Sequence, residues 1–286
     1  MSVDLVSVVV RALGFVAMFQ AAGTVVFVAL FGQFLSAADA PVRRLGHRSA
    51  LLAIALVVLY QLLGAARMTG EFSGLADLDM QLLSLSSNVG VANGLRLFGL
   101  LLIAGAVTRN HPGWMIATVT GASLVAASYA ITGHTAGDPQ RWLLAPLLLI
   151  HLWVVAFWFG SLWPLLLVSE QETTPVTAAV IERFSVLATW LVPGIAVAGV
   201  LMAIALLPDI KALFMPYGQL LLVKAAGFAV LLGLAALNKW RLGPAIALGQ
   251  GGALRSFRRS VLLEYTLICG VLIATAVMTG YFSPEP

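Results

Sequence analysis

Apolar stretches of about the length needed to cross a bilayer follow one another along nearly the whole chain, and they constrain the fold more than any other feature. A transmembrane helix needs roughly 20 consecutive apolar residues, and such runs lie at approximately 5–31, 49–68, 91–108, 113–132, 142–168, 184–207, 217–238 and 258–281. With 60% hydrophobic and only 10% charged residues in 286, the chain cannot clothe itself in a water-facing surface, which calls for charge on about a quarter of residues. The expectation is an all-α membrane protein, a bundle of about eight transmembrane helices forming a single polytopic membrane domain over 1–286. The segment 4–35 has no basic n-region and no small-residue cleavage site, so it is expected to be the first retained span.

The basic residues report topology rather than a nucleic-acid footprint. Ten of the 16 fall in every second connection: Arg43, Arg44 and Arg48; Arg109; Arg183; and Lys239, Arg241, Arg255, Arg258 and Arg259. The alternate connections hold Arg67, Arg141 and Lys211. Under the positive-inside rule the first set is cytoplasmic and both termini are periplasmic. The lone Cys269 lies in an apolar run, so neither a disulfide framework nor a cysteine metal cluster can form within one chain. The stretch 71–88, with Asp77, Asp79 and Met80, is long for a bundle connection and reads as a lid or a lipid-surface helix on the outer face.

A faint repeat is also visible. Gly90 precedes Arg96 by six positions at the outer start of span three, and Gly218 precedes Lys224 by six at the outer start of span seven. Spans three and seven run in the same direction, which suggests a parallel four-plus-four repeat with Arg96 and Lys224 in equivalent places.

Charges held in lipid cost several kcal/mol unless they pair, snorkel or face water. Arg96 and Lys224 each lie about 10 Å below the outer surface. They read either as partners for an outer-face carboxylate or as the lining of a polar cavity for an anion or a cofactor carboxylate. Arg11 shares a stripe with Phe15 and Met18, and Glu264, in the inner third of span eight, is expected to form an ion pair with Arg183 that fixes packing, with proton transfer as the alternative reading. His134 closes span four, and His151 lies about 13 Å into span five on a face shared with Val155, Trp158 and Leu162. Imidazole is the commonest side-chain metal ligand, and imidazole with thioether suits copper(I). Met68, Met80 and Met215 lie near the outer side and Met18 deeper, so His134, His151, Met68 and Met18 are the candidate metal ligands, each methionine equally a packing residue. No nucleophile, base and orienting acid occur at a recognisable spacing, and no enzymatic activity is expected.

These same residues carry a resemblance. Thr132-Gly133-His134, His151-Leu152-Trp153 with Trp158-Phe159-Gly160, Arg183-Phe184-Ser185, Pro216-Tyr217-Gly218 with Leu220 to Lys224, Arg259-Ser260-Val261 through Glu264, Met68-Thr69-Gly70 and the Gly90 to Arg96 segment resemble the copper resistance protein D (CopD) family of bacterial inner-membrane proteins. The resemblance covers spans two to eight in order. Thr135 and Ser161 depart from the small residues the family often carries there, and neither change removes a candidate ligand. The resemblance implies an eight-span bundle in the inner membrane and a role in copper uptake or tolerance, with a periplasmic copper-binding protein as partner. Two functions follow: a carrier that takes copper(I) from the periplasmic side through His134 and methionines and passes it to His151; or a haem b or redox protein using His134 and His151, with Arg96, Lys224 and Trp158 around the cofactor.

Overall fold

A computed structural model of the chain describes residues 2–109, 112–132, 137–207 and 209–282. Among these the fold is all-α. In chain order the helices are α1 (Val3–Phe31), α2 (Asp39–Thr69), α3 (Leu78–Ser86), α4 (Asn88–Ala106), α5 (Trp114–Ala127), α6 (Arg141–Gln171), α7 (Thr174–Leu206), α8 (Pro216–Leu237), the short α9 (Gly243–Ala247) and α10 (Ala253–Tyr281). Helices occupy each of the eight stretches read as spans. α2 and α7 begin well before their apolar cores, because helical geometry continues through the polar flank where, in α2, Arg43 pairs with Asp39 one turn earlier at 2.9 Å.

Among the described residues seven helices are long and apolar enough to cross a membrane. The eighth, α5, is shorter than expected. Its 14 residues rise about 21 Å, against a hydrocarbon core of roughly 30 Å. It ends early because Ser128–Ala130 tightens into a 3-10 turn, and that turn delivers Ser128 and Tyr129 to Arg96.

α1 is the central helix, packed on α2, α5, α6 and α10. α4 packs between α2 and α5, α7 packs on α6, and α8 packs on α10 at the periphery. The start of α1 lies against the end of α10, where Arg11 Nη1 donates to the Thr279 carbonyl at 3.1 Å. Both ends of the described chain therefore share one face of the bundle, the terminal face. At the opposite face Glu172, after α6, accepts from the backbone N–H groups of Ser36 at 2.7 Å and Ala38 at 2.9 Å, just ahead of α2. Arg258 ties the start of α10 to Ser169 near the end of α6.

The tightest crossing joins α1 to α6. A Cβ on Gly23 would collide with the Ala156 carbonyl oxygen and Gly160 Cα, and one on Gly160 would collide with Gly23 Cα and the Phe19 carbonyl oxygen. Glycine is required at both places, so the two backbones touch as small residues allow in lipid. Gln20 reinforces the crossing by donating to the Gly160 carbonyl at 3.1 Å.

The stretch 71–88 folds as a 3-10 turn, Phe72–Ala76, followed by α3. Gln81 donates back to the Leu62 carbonyl of α2 at 3.0 Å, while Leu78, Leu82, Leu83 and Leu85 remain more than half exposed. A short helix with one face on the bundle and leucines outside has the amphipathic pattern shared by surface lids and helices at a membrane interface.

Candidate functional site

The polar residues inside the bundle gather into three clusters. In the first, Arg96 is buried on α4, where Nε donates to Ser128 Oγ at 2.9 Å and Nη1 donates to Asn93 Oδ1 at 2.8 Å. Asn93 in turn donates to Gln61 Oε1 at 2.8 Å, and Gln61 donates to Ser84 Oγ at 3.0 Å. The guanidinium carbon lies 4.4 Å from the Tyr129 ring centroid. The Tyr129 hydroxyl points at Met18 Sδ, 3.8 Å away, and its ring packs with Phe15 and Phe19. Among the described residues the one ion pair is Arg43 with Asp39. The Arg96 charge is thus held by neutral oxygens and an aromatic face rather than by an outer-face carboxylate.

The second cluster is His151 with Lys224. His151 on α6 lies within electrostatic range of Lys224 on α8 and within hydrogen-bonding reach of the Ile195 backbone on α7. Its Nδ1 is buried and has no hydrogen-bond partner among the described residues. An orphaned ring nitrogen inside a bundle costs free energy unless something else engages it.

The third cluster lies two turns further along the same face of α6. Trp158 Nε1 donates to Glu264 Oε2 at 3.2 Å, and the Asn238 amide donates to Glu264 Oε1. The expected ion pair between Glu264 and Arg183 is not formed. Arg183 instead lies over the Phe34 ring, 3.7 Å from its centroid, and two neutral donors from neighbouring elements already reach both carboxylate oxygens. A cavity of about 190 Å³ opens beside Glu264 between α7 and the end of α8.

The residues singled out in the sequence are thus divided rather than convergent. Met18 joins Arg96 through Tyr129, His151 joins Lys224, and Trp158 joins Glu264. Met68 stands half exposed at the end of α2. His134 falls outside the described residues, as does His111. Among the described residues no three His, Cys, Asp or Glu side chains come together as a metal centre would require. Arg96 spends donors on Ser128 and Asn93 instead of turning them toward His151, which does not fit a pair of propionate anchors around one haem. Sequence reasoning passed over Asn93, Gln61, Ser128 and Asn238. The available signal was their residue type: uncharged amides and hydroxyls inside apolar runs also need partners.

Two family models cover most of the chain: copper resistance protein D-like, N-terminal domain, over residues 1–142, and copper resistance protein D over 178–278. The copper resistance protein D of Pseudomonas syringae pv. tomato is 29% identical over 271 residues, spanning 87% of this chain and 86% of that protein. No solved structure matches. With apolar helices suited to a multi-pass inner-membrane protein and both models matched in order along it, the chain belongs to the copper resistance protein D family.

Proposed function

We propose that this protein carries copper(I) across the inner membrane, taking the ion from the periplasmic side and passing it into the bundle at His151. The observation that carries the reading is the buried Nδ1 of His151, which has no hydrogen-bond partner among the described residues. It is a soft-metal donor within a chain whose family is named for copper resistance. Met18 offers a buried thioether beside Tyr129, Met68 lies exposed at the terminal face, and His134 remains a candidate ligand from the sequence. A periplasmic copper-binding protein is the natural donor of the ion. The Lys224 ammonium opposes a cation at His151, so it serves better as a barrier regulating passage than as part of the resting site.

Orientation belongs to the same proposal. The terminal face is periplasmic, because the opposite face carries Arg43, Arg44, Arg258 and Arg259. So does a parallel four-plus-four architecture within one polytopic unit. In its support, the pairing of α1 with α2 is matched by α6 with α7, that of α4 with α5 by α8 with α10, and that of α1 with α5 by α6 with α10. Phe19 and Gly23 meet Ala156 and Gly160 reciprocally. A Cβ on Gly90 would strike the Leu85 backbone, and one on Gly218 the backbone of Ala212 and Leu213.

Purified protein is expected to bind copper(I), and a His134→Ala, His151→Ala double variant to lose that binding. Unchanged stoichiometry in a folded double variant sinks the carrier reading. A visible spectrum of the same preparation with a haem b band would replace it with the redox one.

A further inference from the structure

The copper reading leaves one buried carboxylate without a task. Glu264 is 2% exposed, and both its oxygens face N–H donors, from Trp158 and from Asn238. Asn238 opens a π-helical turn, Asn238–Leu242, at the end of α8. Single π turns inside α-helices are frequent at functional sites. Asn238 is 8% exposed, and its Oδ1 has no hydrogen-bond partner among the described residues. Both residues line the cavity of about 190 Å³, whose wall on α7 includes Ser185, Thr189 and Pro193. Across it, Lys239 Nζ donates to Thr189 Oγ1 at 2.7 Å, bridging two helices that otherwise scarcely touch.

The ligand class follows from what this arrangement admits. A metal ion would find N–H hydrogens on both carboxylate oxygens and the Lys239 ammonium ahead of it. An anion would meet the carboxylate. A proton needs one lone pair, and the cavity has room for water beside the polar groups of Asn238, Lys239 and Thr189. On the cavity, Lys239 is the other charged group among the described residues. Its ammonium is contributed by the turn after α8, and the facing parts of α6 and α7 contribute Trp158, Ser185 and Thr189, which carry no charge.

We propose that Glu264 is a proton-binding site, filled and emptied through this cavity. On filling, an O–H bond forms between a hydronium proton and Glu264 Oε1, and one water is released; on emptying, water takes the proton back. Asn238 serves both states. Its amide donates to the carboxylate, and a half-turn about its terminal torsion presents Oδ1 to accept from the carboxylic O–H. The site does not depend on copper, so it stands or falls separately from the carrier reading.

The test is infrared difference spectroscopy between pH steps on the full chain in lipid nanodiscs. A carboxylic C=O band is expected to appear as the pH falls, to shift on transfer to heavy water, and to vanish in Glu264→Gln. Asn238→Leu and Trp158→Phe retain the carboxyl group and are expected to shift the band. They cover the case in which Glu264→Gln fails to fold. A wild-type protein without such a band, a band that survives in Glu264→Gln, or one that both neighbouring variants leave unmoved overturns the proposal.

Discussion

The guanidinium of Arg96 lies against the ring of Tyr129, 4.4 Å from carbon to centroid, and donates to Ser128 on the same 3-10 turn. Three different interactions depend on this one side chain: a cation–π contact, the Ser128 bond and the Asn93 bond. Arg96→Ala leaves the Asn93 Oδ1 acceptor unsatisfied and the aromatic face uncovered, so a loss of about 3 kcal/mol is expected. Arg96→Lys keeps the charge but not the fork of donors, and is expected to recover less than half of that loss. Thermal unfolding in a fixed detergent measures both, and a neutral Arg96→Ala would refute the structural role.

Gly23→Ala and Gly160→Ala should each destabilise the bundle, because the added methyl meets backbone rather than a movable side chain. Overpacking of this kind costs about 1–3 kcal/mol. Gly94→Ala is the control, since a Cβ there has open space. Equal melting temperatures for Gly23→Ala and Gly94→Ala would contradict the crossing described.

Glu172 predicts a pH dependence. Burial raises its proton affinity, but this is outweighed by hydrogen bonds from Ser36, Ala37 and Ala38, which together hold the carboxyl below the usual carboxylate range. A lowered folded-state value means that the stabilisation is fully present above the ordinary carboxylate value. It is lost as the pH falls through the lower folded-state one. Glu172→Gln is expected to cost about 1 kcal/mol at neutral pH, the site being partly solvated, and to weaken the acid dependence of stability. A parallel acid limb in wild type and variant would count against it.

Lys224→Met removes a positive charge whose field reaches His151. If His151 binds copper(I), the affinity should rise, and about 1 kcal/mol of lost repulsion corresponds to roughly a fivefold change. Competition against a copper(I) chelator reads this directly. An unchanged or weakened affinity would separate Lys224 from the metal path.

The succession of apolar runs carried the helical architecture in the sequence, since lipid leaves a backbone few alternatives to helix. Helix ends were less legible. α2 and α7 continue into polar flanks that hydropathy discounts, and α5 stops short for the sake of Arg96. The ionisable residues were legible as individuals but not as partners. Glu264 and Arg183 have matching depth and charge, yet depth says nothing of azimuth, and the bundle gives Glu264 two neutral donors instead. Gln61, Asn93 and Asn238 carry no charge and so do not stand out in an apolar sequence, although each holds a charged side chain or its partner in place.

The contact between Gly23 and Gly160 also limits how this bundle can move. Two helices joined backbone to backbone at one point resist sliding and separation there, while pivoting about the contact disturbs few atoms. It is therefore a natural fulcrum. A tilt of α6 that opened one rim of its interface with α1 would close the other, as a seesaw does.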